Sequence, residues 1–228
     1  MLEFEEDSGL RLGDTLNQLQ QRKKMIKEQI ISRGIKDPIV LRGLEVVPRH
    51  RFVDENLERS AYEDSPLPIA ENQTISQPFI VAYMTEALEL EGGERVLEVG
   101  AGSGYQAAIL AESVQQVYTI EINENLAIEV ALRLKKMGYK NVMVKCGDGY
   151  QGWPEYAPFD GIVVTAAPDH IPQALLEQLK PGGRMVIPVG EKEQELILVR
   201  KRWDGSIKKE PRIPVRFVPM IRAAEKKD

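Results

Sequence analysis

The 228-residue chain is 43% hydrophobic and 29% charged, a makeup that suits one α/β domain with a core plus an appendage and excludes a disordered tail. Lys and Arg total 30 against 35 for Asp and Glu, a net charge of −5 that argues against a general nucleic-acid coat protein. The single cysteine, Cys146, excludes an intramolecular disulfide, and two histidines fall short of the clustered ligands of a zinc site. The longest uncharged stretch, Asn72 to Thr85, has 14 residues and contains polar groups and Pro78, whereas a membrane span needs roughly 20 apolar ones. The opening Met-Leu-Glu-Phe-Glu-Glu-Asp is acidic where a secretory signal is basic and then apolar. These features predict a soluble cytoplasmic protein.

Residues 1–13 are acidic and aperiodic and read as a loosely held arm. Leu16, Leu19, Met25, Ile26 and Ile30 then fall mostly on one helical face, and Arg33-Gly34 supplies a stop. Asp37-Pro38 starts a second short helix, a capping carboxylate followed by proline at the first helical position, which ends near Pro48. Residues 14–60 are thus a helical prelude. Ser65, Pro66 and Pro68 make an ordered loop of residues 65–74, leading into a helix over Pro78 to Leu90.

From Arg95 short apolar runs alternate with helical patterns, as in a parallel sheet with crossover helices. The predicted strands are Arg95–Val99, Gln116–Ile120, Val142–Lys145, Gly161–Val164 and Arg184–Ile187. Between them lie helices over Tyr105–Glu112, Glu124–Met137 (stopped by Gly138) and Pro172–Leu179 (stopped by Pro181-Gly182-Gly183). Glu195–Arg202 and a run ending at Val218 flank the turn Asp204-Gly205 and close the chain with antiparallel strands. The predicted class is α/β: a doubly wound, mostly parallel sheet with antiparallel C-terminal strands and an N-terminal helical prelude.

The first strand runs into Glu98-Val-Gly-Ala-Gly-Ser-Gly104 and opens directly into a helix. Glycines at 100, 102 and 104 let backbone approach a ligand, and the helix N-terminus adds partial positive charge, although a tight turn without a ligand reads the same way. A dinucleotide fingerprint would need glycine at 105, where Tyr105 stands. Glu98 would instead suit a cationic amine. Glu121 ends the next strand 21 residues after Gly100, where a carboxylate can accept from a ribose diol, and Asp148 follows the third strand on the same edge. Three acids at successive strand ends point to a nucleoside-type site.

The glycine loop, Glu121 and Gly147-Asp-Gly149 resemble class I S-adenosylmethionine-dependent methyltransferases, and so imply their Rossmann-like fold. Pro68-Ile69, Gln73-Thr-Ile-Ser-Gln-Pro78, Gly147-Asp-Gly-Tyr-Gln-Gly-Trp153, Pro158-Phe-Asp160, Val164-Thr-Ala-Ala-Pro168, Leu179-Lys-Pro-Gly-Gly183, Pro188-Val-Gly190 and Val215-Arg-Phe-Val-Pro219 resemble the protein-L-isoaspartate O-methyltransferases. The likeness runs from about residue 14 to 220, and Thr-Ile-Ser-Gln-Pro is its specific part. It implies one methyltransferase domain over 14–220, with a prelude and substrate loop at 14–94, a core at 95–220 and a loose tail at 221–228. The implied activity is repair: transfer of the methyl group of S-adenosyl-L-methionine to the free α-carboxylate of L-isoaspartyl residues, leaving S-adenosyl-L-homocysteine. The methyl ester then re-closes to succinimide.

The resemblance implies that Ser76 orients the attacking carboxylate. Gln73, Thr74 and Ile75 would line the cofactor, with Ile75 and Ser76 also meeting the substrate. Glu98, Gly100, Ser103 and Gly104 would surround its methionine portion, Glu121 the ribose, and Asp148 and Gly149 the adenine edge, with Gly102 and Ile122 also binding the cofactor. Val215, Phe217 and Val218 would border the peptide. No metal and no base are implied, because the acceptor is already ionised and the donor methyl already activated. The partners implied are isoaspartyl proteins and peptides, with no nucleic acid, no membrane and a monomeric chain. Ser76 also reads as a helix N-cap before Pro78. Ala70 and Asn72 stand where the family carries glycines; asparagine tolerates left-handed backbone, so the departure is expected at Ala70. Two other readings remain. Arg200, Lys201, Arg202, Lys208, Lys209, Arg212 and Arg216 suggest an RNA methyltransferase on the same fold, and the altered loop suggests a cofactor-binding protein without transfer. His50 and His170 carry no assigned role, Trp153 reads as core or pocket wall, and Cys146 reads as packing at the end of a buried strand.

Overall fold

The computed structural model describes residues 14–223. The expected acidic arm at 1–13 and residues 224–228 of the expected tail lie outside the described residues. Helix α1 (Leu16–Met25) begins at Thr15, whose side chain accepts from Gln18 N while Gln18 caps back. The expected single helix does not continue in α form. Ile26–Ile30 is a π turn and Ile31–Arg33 a 3₁₀ turn, ended by Gly34 at φ 96°. Side-chain periodicity cannot distinguish these hydrogen-bond patterns, because all of them keep the same residues near one face. Asp37 caps α2 (Pro38–Val46) through Ile39 N and Val40 N, as its Asp-Pro signal predicts.

The loop at 65–74 is clipped by a two-residue antiparallel ladder, β1 (Leu67–Pro68) against β2 (Thr74–Ile75). Helix α3 (Pro78–Ala87) follows. The main sheet then forms from β3 (Arg95–Val99), β4 (Gln116–Glu121), β5 (Val142–Cys146), β6 (Phe159–Val164), β7 (Leu179–Val189), β8 (Gln194–Lys201) and β9 (Ile207–Val215). Helices α4 (Tyr105–Ala111), α5 (Glu124–Lys136) and α6 (Gln173–Gln178) are interleaved. The strand order is β5-β4-β3-β6-β7-β8-β9, parallel from β5 to β7 and antiparallel beyond. The chain winds outward from β3 through β4 to β5, then crosses back to β6 on the other side of β3. This switch point is where open α/β sheets leave a crevice at their carboxyl ends.

Successive residues of each central strand serve opposite faces. Val96, Val163 and Val186 join the core beneath α2, α3 and α4, while Leu97, Ile162, Val164, Met185 and Ile187 join a second core with Trp153 and Leu175. Burying each such side chain contributes about 1.5–3 kcal/mol, so the two cores fix the register of β3, β6 and β7. Trp153 thus sits in the second core, stacked edge-on against Tyr118. Helix α4 is buried along its whole length, its alanines allowing the sheet and α2 to close on it.

Two expectations are corrected, one on β7 with the helix before it and one on Cys146. The predicted strand Arg184–Ile187 is the middle of β7, and Pro181-Gly182-Gly183 lies inside that strand as an irregularity, Phe159 pairing with Leu179 before the register shifts. Helix α6 therefore ends one residue earlier, at Gln178. Cys146 is exposed, since β5 is the edge of the sheet and only half covered. His50 is buried, its Nδ1 2.8 Å from the Tyr62 hydroxyl and its Nε2 3.6 Å from Asp14. Among the described residues no helix is long and apolar enough to cross a membrane.

Candidate active site

At the carboxyl end of β3 the backbone turns out of the sheet through Gly100 at φ 96°, where a Cβ would stand 2.5 Å from the Thr165 hydroxyl at the end of β6. Gly104, at φ 83°, caps α4 and lies against Val130, which a Cβ would approach to 3.0 Å. Only glycine meets both demands. The Thr165 hydroxyl lies within hydrogen-bond distance of the Val99 and Gly100 carbonyls and so ties β6 to the loop.

The loop forms one wall of a cavity of about 410 Å³, within the range of small-molecule sites. Glu98, Gly100, Gly102, Ser103, Glu121, Ile122 and Gly149 line it, and Gln73, Thr74, Ile75 and Ser76 face them. Gly104 and Asp148 are not among the residues that line it. Gly104 shapes the start of α4, and the Asp148 carboxylate accepts from Tyr150 N at 2.9 Å, capping a 3₁₀ turn. A second groove of about 430 Å³ is lined by Pro66, Gln77, Ile80, Val215, Arg216 and Phe217. Thr74, Ser76, Thr165 and Val218 line both spaces.

Glu121 is held at both oxygens: Gly102 N donates to Oε2 at 2.9 Å and Asn123 N to Oε1 at 3.0 Å. It therefore shapes the glycine loop, with lone pairs left for a diol on the cavity side. Glu98 differs. It is 0% exposed and neither oxygen meets a donor in ordinary hydrogen-bond geometry. Burial pushes its carboxyl up to about 8; Thr119 and the Ala107 backbone oppose the shift, and the Glu121 charge adds to it. A buried carboxyl in a cavity wall, offset only by weak contacts to Thr119 and the Ala107 backbone, fits a ligand that brings its own cation.

That geometry makes cation binding a protonation event. With its carboxyl pushed up to about 8, Glu98 should be largely protonated near pH 7 in the free protein, and a bound ammonium would ionise it, so binding of the S-adenosyl-L-homocysteine that the sequence resemblance implies should release close to one proton. Calorimetric titration in buffers of different ionisation enthalpy measures this, and Glu98→Gln should abolish the release and weaken binding about ten- to hundredfold. Because the folded pKa is raised, the group's contribution to stability is complete below about 4.5 and is lost as pH rises towards about 8. The free wild-type protein should therefore lose stability over that window, by at most about 1.4 kcal/mol per pH unit, and the Gln variant should not. Near-zero proton release at pH 7 overturns this account of Glu98.

Sequence reasoning missed several wall residues. Thr165 carried a usable signal, since it follows β6 on the carboxyl edge. Glu71 carried none. It and Asn72 take the left-handed conformation, at φ 57° and 54°, so the strained position is Glu71 and not Ala70. The Glu71 carboxylate accepts from Asn123 Nδ2 at 2.9 Å and Asn125 Nδ2 at 3.1 Å, linking the loop to the start of α5 across the cavity. These bonds offset a backbone cost of roughly 1–2 kcal/mol.

The family model for protein-L-isoaspartate(D-aspartate) O-methyltransferase matches residues 20–225. The chain belongs to this family. A protein-L-isoaspartate O-methyltransferase of Picosynechococcus sp. is 55% identical over 199 residues, covering 87% of this chain and 89% of that protein. A solved protein-L-isoaspartate O-methyltransferase superposes with a TM-score of 0.82 at 30% identity, covering 89% of this chain and 66% of the other. A further one, from Plasmodium falciparum in complex with S-adenosyl-L-homocysteine, gives 0.76 at 26% identity and covers 89% and 98%. The altered loop thus sits within the family fold. Three of the seven basic residues behind the RNA reading are ion-paired within the chain, Arg200 with Glu89 and Glu210, and Lys208 and Arg212 with Glu210.

Proposed function

We propose that the boundary between the two cavities is the transfer site, with Ser76 orienting the free α-carboxylate of an L-isoaspartyl residue towards a methyl donor held behind it. The chain is a methyltransferase of the isoaspartate-repair family and uses S-adenosylmethionine. The residues fit that cofactor: Glu98 would pair with its amine, Gly100, Gly102 and Ser103 would border the methionine portion, Glu121 and Ile122 the ribose, and Gly149 the adenine edge. Gly104 and Asp148 would act by fixing the loops behind. Bound there, the cofactor supplies a sulfonium methyl group already activated for transfer. The observation that carries the reading is that Ser76, with Thr74, Thr165 and Val218, lines both spaces, so an acceptor in the groove and a donor in the cavity would meet beside it.

The remaining chemistry is positioning. A carboxylate with an ordinary pKa near 4 needs no base at neutral pH. What the chain must do is aim one oxygen and exclude water. The Ser76 hydroxyl can donate to the carboxylate without removing its charge, and Val215, Phe217 and Val218 give the groove an apolar side against a peptide backbone. The same reading takes the chain as a cytoplasmic monomer acting on proteins and peptides and not on nucleic acid, the last supported by its net charge of −5.

The test is labelled-methyl transfer to an isoaspartyl peptide followed by mild alkali. An α-carboxyl methyl ester closes to succinimide and gives up its label as methanol. Alkali-stable label, or label entering RNA alone, overturns the proposal.

A further inference from the structure

We propose that Arg49 is a positioning residue for this reaction, fixing the backbone at Ser76 from beneath the substrate loop; the proposal rests on the reading of Ser76 given above. Arg49 is 0% exposed. Its Nε donates to the Ala61 carbonyl at 2.7 Å and its Nη2 to the Ser76 carbonyl at 2.7 Å. The guanidinium also lies 4.9 Å from the ring centre of Tyr105, the first residue of α4 after the glycine loop. One rigid planar group thereby joins the turn at Ala61, the substrate loop and the wall of the cofactor cavity.

The backbone around Ser76 explains why such a grip is needed. The β1–β2 ladder ends at Ile75. The helical hydrogen bonds of α3 begin two residues later, with Val81 N donating to the Gln77 carbonyl. The Ser76 carbonyl falls in the gap between them, and no backbone amide of the described residues reaches it. Without Arg49 the residue that aims the acceptor would be tethered only by its neighbours. Lysine could not reproduce the fork, since its donors radiate from one point, whereas the guanidinium presents two N–H groups in fixed directions.

Stability alone does not account for this arginine. Its Nη1 is buried without a hydrogen-bond partner, and a well-packed apolar side chain commonly serves a core as well as or better than a buried, incompletely paired charge. Burial pulls the guanidinium down to about 10, opposed by Tyr105 and Tyr62, so it remains charged at neutral pH. Its bonds to Ala61 and Ser76 are therefore charge-assisted and shielded from water.

The experiment is a double-mutant cycle on kcat with Ser76→Ala and Arg49→Lys at saturating isoaspartyl peptide, alongside calorimetric Kd values for S-adenosyl-L-homocysteine. Arg49→Lys should lower kcat about tenfold with Kd within about twofold of wild type. In the Ser76→Ala background it should cost little more, because the group it positions is gone. Wild-type turnover of Ser76→Ala sinks the reading of Ser76 itself. A normal Ser76→Ala deficit with additive losses, or with wild-type turnover of Arg49→Lys, overturns only the role of Arg49. Should Arg49→Lys fail to fold, Arg49→Gln takes its place in the cycle. If neither variant binds S-adenosyl-L-homocysteine, Arg49 is a structural residue and the proposal falls.

Discussion

Of two peptides that differ only in isoaspartate or aspartate at one position, the isoaspartyl peptide alone should accept methyl groups at a measurable rate. The two acceptors carry the same ionised group, so charge cannot separate them. They differ in where a methylene sits: in isoaspartate it lies in the main chain, and the carboxylate hangs directly from the α-carbon. On the proposed reading, a peptide gripped along its backbone in the groove between the 66–80 segment and the 214–218 segment would present that short carboxylate at a fixed depth. An aspartyl side chain of the same peptide reaches further by one carbon–carbon bond. Because a misplacement of about 1 Å can cost a hundredfold in an in-line transfer, a selectivity of at least about 100 in kcat/KM is expected, equivalent to roughly 2.7 kcal/mol. Initial rates with labelled cofactor measure it. Comparable rates for the two peptides would mean that the groove grips side chains and not backbone.

How far the sequence could be read varied with the kind of physics involved. β3, β4 and β6 were legible because each is an apolar run whose neighbours in sequence are turn formers, and the fold buries both of its faces. Their carboxyl ends carry Glu98, Glu121 and Thr165, and the order of a doubly wound sheet brings such ends together whatever the details of packing. β7 was misread because Pro181-Gly182-Gly183 ordinarily stops an element. Here Gly182, at φ 88°, lets the strand pass through an irregularity instead of ending. The exposure of Cys146 depended on strand order, since the same short apolar run is covered in the middle of a sheet and half bare at its edge.

The parts of the site that escaped reading are those made by tertiary contact alone. Arg49 and Ser76 are joined across 27 residues, and Glu71 meets Asn123 across 52. Neither pair leaves a periodic trace. Asp148 was placed correctly at a strand end, yet its carboxylate turns to the amide of Tyr150. A strand end predicts where a carboxylate starts and not what it bonds. The charge run of β8 and β9 shows the same limit, because Glu89, far away in sequence, supplies an ion pair to Arg200 and another to Arg184 of β7.

Replacing Ser76 by alanine should slow turnover about ten- to hundredfold while leaving cofactor affinity nearly unchanged. A hydrogen bond from a hydroxyl to a charged acceptor contributes about 1.5–3 kcal/mol, and that range corresponds to this loss when the bond is made fully only in the transition state. A nucleophile or an obligatory base would cost far more, so a variant with no detectable activity would contradict a positioning role. The competing assignment, helix capping, predicted a stability loss of about 1 kcal/mol with turnover of the folded fraction intact. The structure removes its basis. The residue preceding Pro78 at the start of α3 is Gln77, its side chain makes no cap bond and donates to Asp64 instead, and the Ser76 hydroxyl caps nothing. The melting midpoint of Ser76→Ala should therefore match wild type while its single-turnover rate falls. Threonine at this position keeps the hydroxyl but adds a methyl group at the boundary of the two cavities, and so should recover part of the rate if the hydroxyl is what matters. A wild-type rate in the alanine variant would leave Thr74 and Thr165, the other two hydroxyl residues that line both spaces, as the candidates for aiming the acceptor.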